Sequence, residues 1–323
     1  MIALILRRLI QAPLILLAVY TITFALAWAL PGSAIIRDEG RRPPEAVLAA
    51  MESRYNLDSA PTFYVQYLAR ATGVKWLIEQ AKGADGHVPD RVFDLGPSLR
   101  YEDWSVNDLL AGTLPVSLIL GFSAVAIALF LGLAAGILGS IKPRSLLDAA
   151  TLALALIGVS LPSFVIGTVL LLVFPVWLGW GRVGSWGSPT DLILPALTLA
   201  LPFAAYIARL TRLGMIEALN SDYARTARAK GVPQRTIVLT HALKNAFLPV
   251  LSYLGPATSF AVTGSFVVES VFNVPGLGRH FVSAVQNKDL FVIMGVTLVF
   301  SAILVTFNLA VDILYRWVDP RIE

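Results

Sequence analysis

Six basic side chains crowd into residues 222–245, DYARTARAKGVPQRTIVLTHALKN: Arg225, Arg228, Lys230, Arg235, His241 and Lys244, with Asp222 the single acid. Guanidinium groups are planar donor forks that suit carboxylates, so the segment reads as a binding surface and not as a reaction centre. Asn220, Ser221 or Asp222 can cap a short helix, Tyr223–Lys230 fills it, and Gly231 ends it in the left-handed conformation. Pro233 then suits the first position of a second helix. On the first helix Tyr223, Thr226 or Ala227, and Lys230 share a face at helical spacing. Arg225 and Arg228 add donors, and Ala224, Ala227 and Ala229 are small enough for another surface to come close. A basic loop resting on anionic lipid headgroups is the plainer alternative. Such a loop needs only charge, without a cap, a stop glycine or a face of docking size.

Other chemistry is missing. No G-x-x-x-x-G-K-[ST] phosphate loop occurs, so ATP is not bound here in that mode. His87, His241 and His280 lie far apart, no H-E-x-x-H pair exists, and the absence of cysteine excludes disulfides and thiolate metal sites. Glu269, Asp312 and Asp148 sit near the ends of apolar runs and not at mid-depth, where ion-coupled transporters place ionisable groups. No catalytic residue and no metal ligand is expected.

The elements around the basic segment are apolar. Hydrophobic residues make up 56% of the chain and charged residues 14%, with a mean hydropathy of +0.72. Uncharged stretches cover 9–30, 111–141, 149–181, 192–208, 246–268 and 290–311. A spanning helix needs about 20 apolar residues. The fourth stretch is shorter, but continues through Arg209 and Arg212 if their side chains snorkel to the interface. Six spanning helices are the reading. The first run follows Arg7 and Arg8 and carries a signal-peptidase-like Ala25-Leu26-Ala27, yet Leu9–Leu30 is too long for a signal h-region and is taken as a retained span.

Placing the N-terminus inside puts thirteen Lys and Arg in the inner segments, against Arg182, Arg279 and Lys288 in the short outer loops. Both termini and the basic segment are then cytoplasmic. The net charge of +4 is a topology signal and gives no reason to expect nucleic acid.

Residues 32–107 form an outside insert, with basic and acidic residues in near balance. A helix is expected after Pro44 with a stripe of Val47, Leu48, Met51 and Tyr55. One or two amphipathic helices follow, carrying Phe63, Tyr64, Tyr67, Leu68 and Trp76, and then a loop over 84–96. The insert is either a lid on the outer ends of the spans or a surface that meets substrate. Pro162 should kink the third span, as Pro195 and Pro202 should the fourth. The Ser160–Pro162 region is a candidate lining of a pathway. Pro275, Gly276 and Gly278 make a tight outer turn expected near Asn273.

DYARTARAKG followed by HALKNAFLPV resembles the cytoplasmic coupling segment of ABC importer permeases, in particular the B-type (first) permease of the peptide/nickel group. The looser E-A-A, three residues, Gly pattern falls on Arg225-Thr226-Ala227 and Gly231, with the glutamate replaced. Further likenesses run along the chain: LPG at 30–32, PEAVLAAMESRYNLD and VQYL in the insert, GVSLPSFVIG, LILPALTLALP with ARLTR, VVESVFNVPGLGRHF, and NLAVDILYRWVDPRI.

The resemblance implies an all-α integral membrane protein with the type I importer permease fold: a first span at 1–31, the insert at 32–107, and a five-span core at 108–323 with a coupling segment at 215–245. It implies a non-enzymatic half of a channel. The partners would be a homologous second permease, two ABC ATPase subunits that bind ATP and Mg, an extracytoplasmic substrate-binding protein and the lipid bilayer. Asp222, Tyr223, Arg225, Thr226, Ala227, Arg228, Lys230 and Gly231 would meet an ATPase, and Asn273, Pro275, Gly276 and Gly278 the binding protein or a gate. Di- and oligopeptides are the expected cargo, with nickel, glutathione or a sugar as alternatives. A secondary transporter or channel is the remoter reading. A scaffold that recruits a cytoplasmic partner is another.

Overall fold

A computed structural model describes residues 2–31, 44–82, 91–101, 103–263 and 265–318. Among them the chain is helical, apart from an isolated bridge between Pro97 and Ser105. In order, the helices are α1 (Ile2–Ala29), α2 (Glu45–Tyr55), α3 (Ala60–Ala71), α4 (Val74–Ala81), α5 (Val106–Ile141), α6 (Leu146–Ser160), α7 (Ser163–Leu171), α8 (Pro189–Asn220), α9 (Asp222–Ala229), α10 (Gln234–Thr236), α11 (Leu243–Thr263), α12 (Phe266–Phe272), α13 (Leu277–Gln286) and α14 (Leu290–Val318). A π-helical turn, Ile237–Ala242, joins α10 to α11 without a break, and another, Leu172–Trp177, extends α7. His87 and most of the expected 84–96 loop lie outside the described residues.

Among the described residues, five helices are long and apolar enough to cross a bilayer: α1, α5, α8, the continuous Gln234–Thr263 helix and α14. The pair α6 and α7 adds a sixth if it counts as one broken span, for it bends by 106°. The expected kink in the third span is thus a complete break. Pro162 has no N–H to continue the helix and forces the residue before it out of the helical region. Leu161 accordingly sits at φ −86°, ψ 131°. Pro195 and Pro202, in contrast, are accommodated inside α8.

The chain divides into two compact units. The first comprises Met1–Leu6, Val116–Pro275 and Ile303–Glu323. Its core is built on small residues: Ala124 and Ala128 of α5, Ala196, Ala200 and Ala204 of α8, and Ala257 and Ala261 of α11 are all buried. Small side chains let helix backbones approach closely where lipid supplies no hydrophobic drive. A Cβ added at Gly132 would fall 2.7 Å from Ile207, and one at Gly136 2.5 Å from Thr211 and 2.7 Å from the Ala208 carbonyl. A Cβ at Gly214 would fall 2.9 Å from the Ala246 Cα, and Gly255 lies against Asn308 and Val311 of α14.

Two buried acids are satisfied within this unit. Glu269 of α12 accepts a bond from Ser117 Oγ at 2.8 Å and another from Ser265 Oγ. Asp148 of α6 accepts from the Arg144 backbone and from both Nε and Nη2 of Arg212 on α8. Arg212 therefore does not snorkel to the interface as the apolar run suggests; its charge is taken up by Asp148 inside the protein.

The second unit comprises Arg7–Pro115 and Gly276–Ala302. Aromatic rings form its centre, with Phe63 lying 5.7 Å from Tyr67 and 5.2 Å from Phe291 between ring centroids. The Tyr20 hydroxyl donates to the Tyr64 carbonyl at 2.7 Å. Leu48, Met51 and Tyr55 of α2 keep the expected stripe, Leu48 being buried and the other two partly so. Trp76 of α4 is half-buried. Asp289, just ahead of α14, accepts from Ser98 Oγ at 2.6 Å and from the Leu99 backbone at 3.0 Å. Burial outweighs these bonds and holds the Asp289 carboxyl above its ordinary range.

Gly136→Ala is expected to lower the detergent Tm by overpacking, a cost of about 1–3 kcal/mol. Gly112→Ala, whose added Cβ meets nothing within 4 Å, is expected to leave Tm unchanged or raise it. Arg212→Ala strands the buried Asp148 carboxylate, so it is expected to destabilise more than Arg212→Ala combined with Asp148→Ala. Thermal unfolding of the single and double variants reads the difference.

Candidate functional site

The basic segment folds as α9 on a small core of its own. Ala224 is fully buried among Met215, Ala218 and Leu219 of α8, Ile237, Val238 and Ala242 of the π turn, and Ala246 of α11. Ala227 packs against the same cluster. Two of the three alanines thus face inward, and close approach serves the chain itself. Ala229 alone stays exposed.

The helix spans Asp222–Ala229, one residue earlier at each end than the spacing suggests. Ser221 occupies the N-cap position without a side-chain cap bond, because its Oγ donates back to the Ala218 carbonyl at 2.6 Å. Asn220 is also turned back, its Nδ2 donating to the Ile216 carbonyl at 2.9 Å. Asp222 lies in the first turn, where the helix dipole favours a negative charge. The expected side-chain cap is therefore replaced by bonds that close the end of α8.

The other end follows the expected pattern. Gly231 has φ +76°, its N–H donates to the Arg228 carbonyl at 3.0 Å, and the Val232 N–H donates to the Ala227 carbonyl at 3.1 Å. These two bonds make a Schellman stop. An added Cβ would meet nothing within 4 Å, so the backbone angle and not space calls for glycine. Pro233 stands one position earlier than expected, as the N-cap of α10.

The charged residues divide between two tasks. Arg228 Nη2 donates to the Leu219 carbonyl at 2.9 Å, satisfying one of the open acceptors at the C-terminal end of α8. Arg225 forms an exposed pair with Asp222 at 2.7 Å. The Tyr223 hydroxyl receives Asn245 Nδ2 at 2.9 Å, which ties the outer face of α9 to α11. Asn245 had no assigned role from spacing, although it stands in the HALKN stretch. Tyr223, Arg225, Thr226 and Lys230 remain exposed. The result is a rigid, outward-facing patch with donors in fixed places, able to bind carboxylates but holding no nucleophile or proton-transfer pair.

The remaining candidates lie elsewhere. Ser160 ends α6 and Pro162 precedes α7; both are exposed at the break. Asn273 and Pro275, in the first unit, are exposed. Asn273 itself supplies the left-handed residue, at φ 55°. In the second unit Gly276 is extended at φ −94° and Gly278 lies within α13, both buried. The expected glycine turn is thus made by asparagine, which tolerates the left-handed region.

Residues 111–323 match the family model described as "Binding-protein-dependent transport system inner membrane component". The chain is 41% identical over 326 residues to the oligopeptide transport system permease protein OppB of Escherichia coli (strain K12), covering all of both chains. It is 39% identical over 309 residues to the dipeptide transport system permease protein DppB of Bacillus subtilis (strain 168), covering 95% of this chain and 94% of that one. Among solved structures, an inward-facing MetNI methionine ABC transporter shares the fold with a TM-score of 0.53 and 21% identity, over 65% of this chain and 96% of that chain. An amino acid ABC transporter crystallised with histidines aligns with a TM-score of 0.51 and 20% identity, over 65% and 94%. From the matched family model and the full-length relatives together, the chain belongs to the family of inner membrane components of binding-protein-dependent transport systems, the ABC importer permeases.

Proposed function

We propose that this chain is the membrane permease subunit of an ATP-driven importer of short peptides, and that α9 is the helix through which ATPase subunits drive it. The peptide cargo rests on the names of the full-length relatives, an oligopeptide and a dipeptide permease. The observation that carries the coupling role is the construction of α9 itself. Its inner face is locked by Ala224 and Ala227, its end is fixed by Gly231, and its outer face offers Tyr223, Arg225, Thr226 and Lys230. A helix so held transmits a push, whereas a basic loop on headgroups would absorb it.

In this reading the chain crosses an inner membrane six times, counting α6 and α7 as one broken crossing, with both termini and α9 on the cytoplasmic side. A second, homologous permease completes the channel, two ATPase subunits seat the coupling helices, and an external binding protein delivers cargo. It docks at the exposed Asn273 and Pro275; Gly276 and Gly278, which follow in the chain, are buried. Ser160 and Pro162, at the break, border the pathway. ATP and Mg belong to the ATPase partners. Closure of the ATPase pair displaces α9 and with it α8, which Arg212 and Asp148 clamp to α6. Because a ligand shifts an equilibrium only through differential affinity, α9 must dock differently in the inward- and outward-open states.

Reversing Arg225 and Lys230 to glutamate is expected to leave insertion and Tm intact but to abolish substrate-stimulated ATP hydrolysis by the assembled complex. Arg228 is left alone because it also closes α8. Unchanged stimulation would overturn the coupling role of α9. Gly231→Ala strains the stop by about 1 kcal/mol and is expected to weaken stimulation partially without preventing assembly, measured by co-purification of the ATPase subunits.

A further inference from the structure

We infer that Tyr206 and Arg209 of α8, with Tyr253 of α11, form a cargo-contacting surface on the translocation path: the phenols bond to peptide groups and the guanidinium meets the terminal carboxylate. This rests on the importer reading above and adds to it a specific site.

The two tyrosine rings lie 4.4 Å apart between centroids, tilted by 41°. Neither hydroxyl has a hydrogen-bond partner among the described residues. Tyr206 stands 17 residues after Pro189 and 14 before Asn220, roughly 21 Å from the nearer helix end at 1.5 Å per residue. Tyr253 stands 10 residues before Thr263, roughly 15 Å from that end. Both depths fall within an apolar span. Hydrocarbon offers a phenol no acceptor, so an unpaired hydroxyl there is unfavourable. Yet 42% of Tyr206 is exposed. A partner from outside the chain must complete both groups.

Charge points the same way. Arg209 follows Tyr206 by three residues, one turn on the same face, and is exposed without an ion pair among the described residues. Arg212 shows how this unit treats a cation meant to stay inside: it pairs it with Asp148. Ionisable groups left open in a span face watery cavities or substrate paths.

The backbone adds acceptors. Pro249, Tyr253 and Pro256 form one stripe of α11, and both prolines are exposed. Each proline lacks the N–H that a regular helix would donate to the carbonyl four residues earlier, here those of Asn245 and Ser252. Phenol donors, a guanidinium and carbonyls without their regular helical donor on adjoining helices match the alternating donors and acceptors of a short peptide with a free carboxylate. A lipid tail matches none of them.

The chain has no cysteine, so single-cysteine variants report cleanly. Tyr206→Cys, Arg209→Cys and Tyr253→Cys are made in the assembled complex in membrane vesicles, with Lys142→Cys as an exposed polar control and Phe130→Cys as an exposed apolar one. A charged methanethiosulfonate is expected to label the three sites at least about tenfold faster than Phe130→Cys, since only a hydrated thiol ionises. A tripeptide that the complex transports in the same vesicles is expected to slow labelling at all three.

Labelling of Lys142→Cys with silence at the three sites would place lipid or the second permease on this face and overturn the inference. Rapid labelling unaffected by the peptide would overturn it as well, leaving a wet face without cargo contact. The importer reading fails separately, if the parent complex neither carries ATPase subunits nor moves the peptide. In a complex that does both, Arg209→Gln is expected to raise KM for a free-carboxylate tripeptide several-fold and to leave its C-terminal amide unchanged. Equal effects on both would remove the guanidinium from the contact.

Discussion

Close backbone approach around α8 is the constraint on which the first unit depends. The helix is lined on its buried side by Ala196, Ala200, Ala204 and Ala208, and it receives Gly132 and Gly136 of α5 and presents Gly214 to α11. Apolar side chains gain nothing by leaving lipid for one another, so such helices associate through contact and through polar bonds. Both kinds meet on α8. The glycine contacts fix its separation from α5, and the Arg212–Asp148 pair fixes its relation to α6. The end of α8 then serves as the platform for α9, through Met215, Ala218 and Leu219.

The second unit solves its packing differently. Large rings replace alanines, with Phe63, Tyr67 and Phe291 at its centre. Gly96 is held at φ +82° directly beneath Phe291, where a Cβ would lie 2.3 Å from the ring. Asp289 gathers the Ser98 hydroxyl and the backbone N–H groups of Leu99 and Arg100. An irregular corner whose amides share one carboxylate needs no strand or helix to satisfy them.

Much of this was legible in the sequence because apolar runs and charge are local signals. The long helices follow the uncharged stretches, and α9 with its glycine stop follows from a few neighbouring residues. What was hidden involves partners far apart in the chain. Arg209 and Arg212 look alike in sequence, yet one is exposed and the other is claimed by an acid 64 residues away. Gly132 and Gly136 carry a readable small-xxx-small spacing, but which helix lies against them is a property of the fold. Alanine gives no directional signal, so spacing reads Ala224 as room for another surface, whereas the fold buries it against α8 and α11. Asn273 takes the left-handed position that spacing assigns to the neighbouring glycines, because it is the C-cap of α12.

The inward turn of Ala224 and Ala227 separates two demands that often conflict. Much of what holds α9 in place is hidden beneath it, while the exposed side chains of Arg225 and Lys230 bond to no other element among the described residues. Drift at those two positions therefore carries only a small folding penalty. Under the proposed coupling role, a chain built this way can alter which partner it accepts, one surface residue at a time, while the rigid seat beneath stays the same.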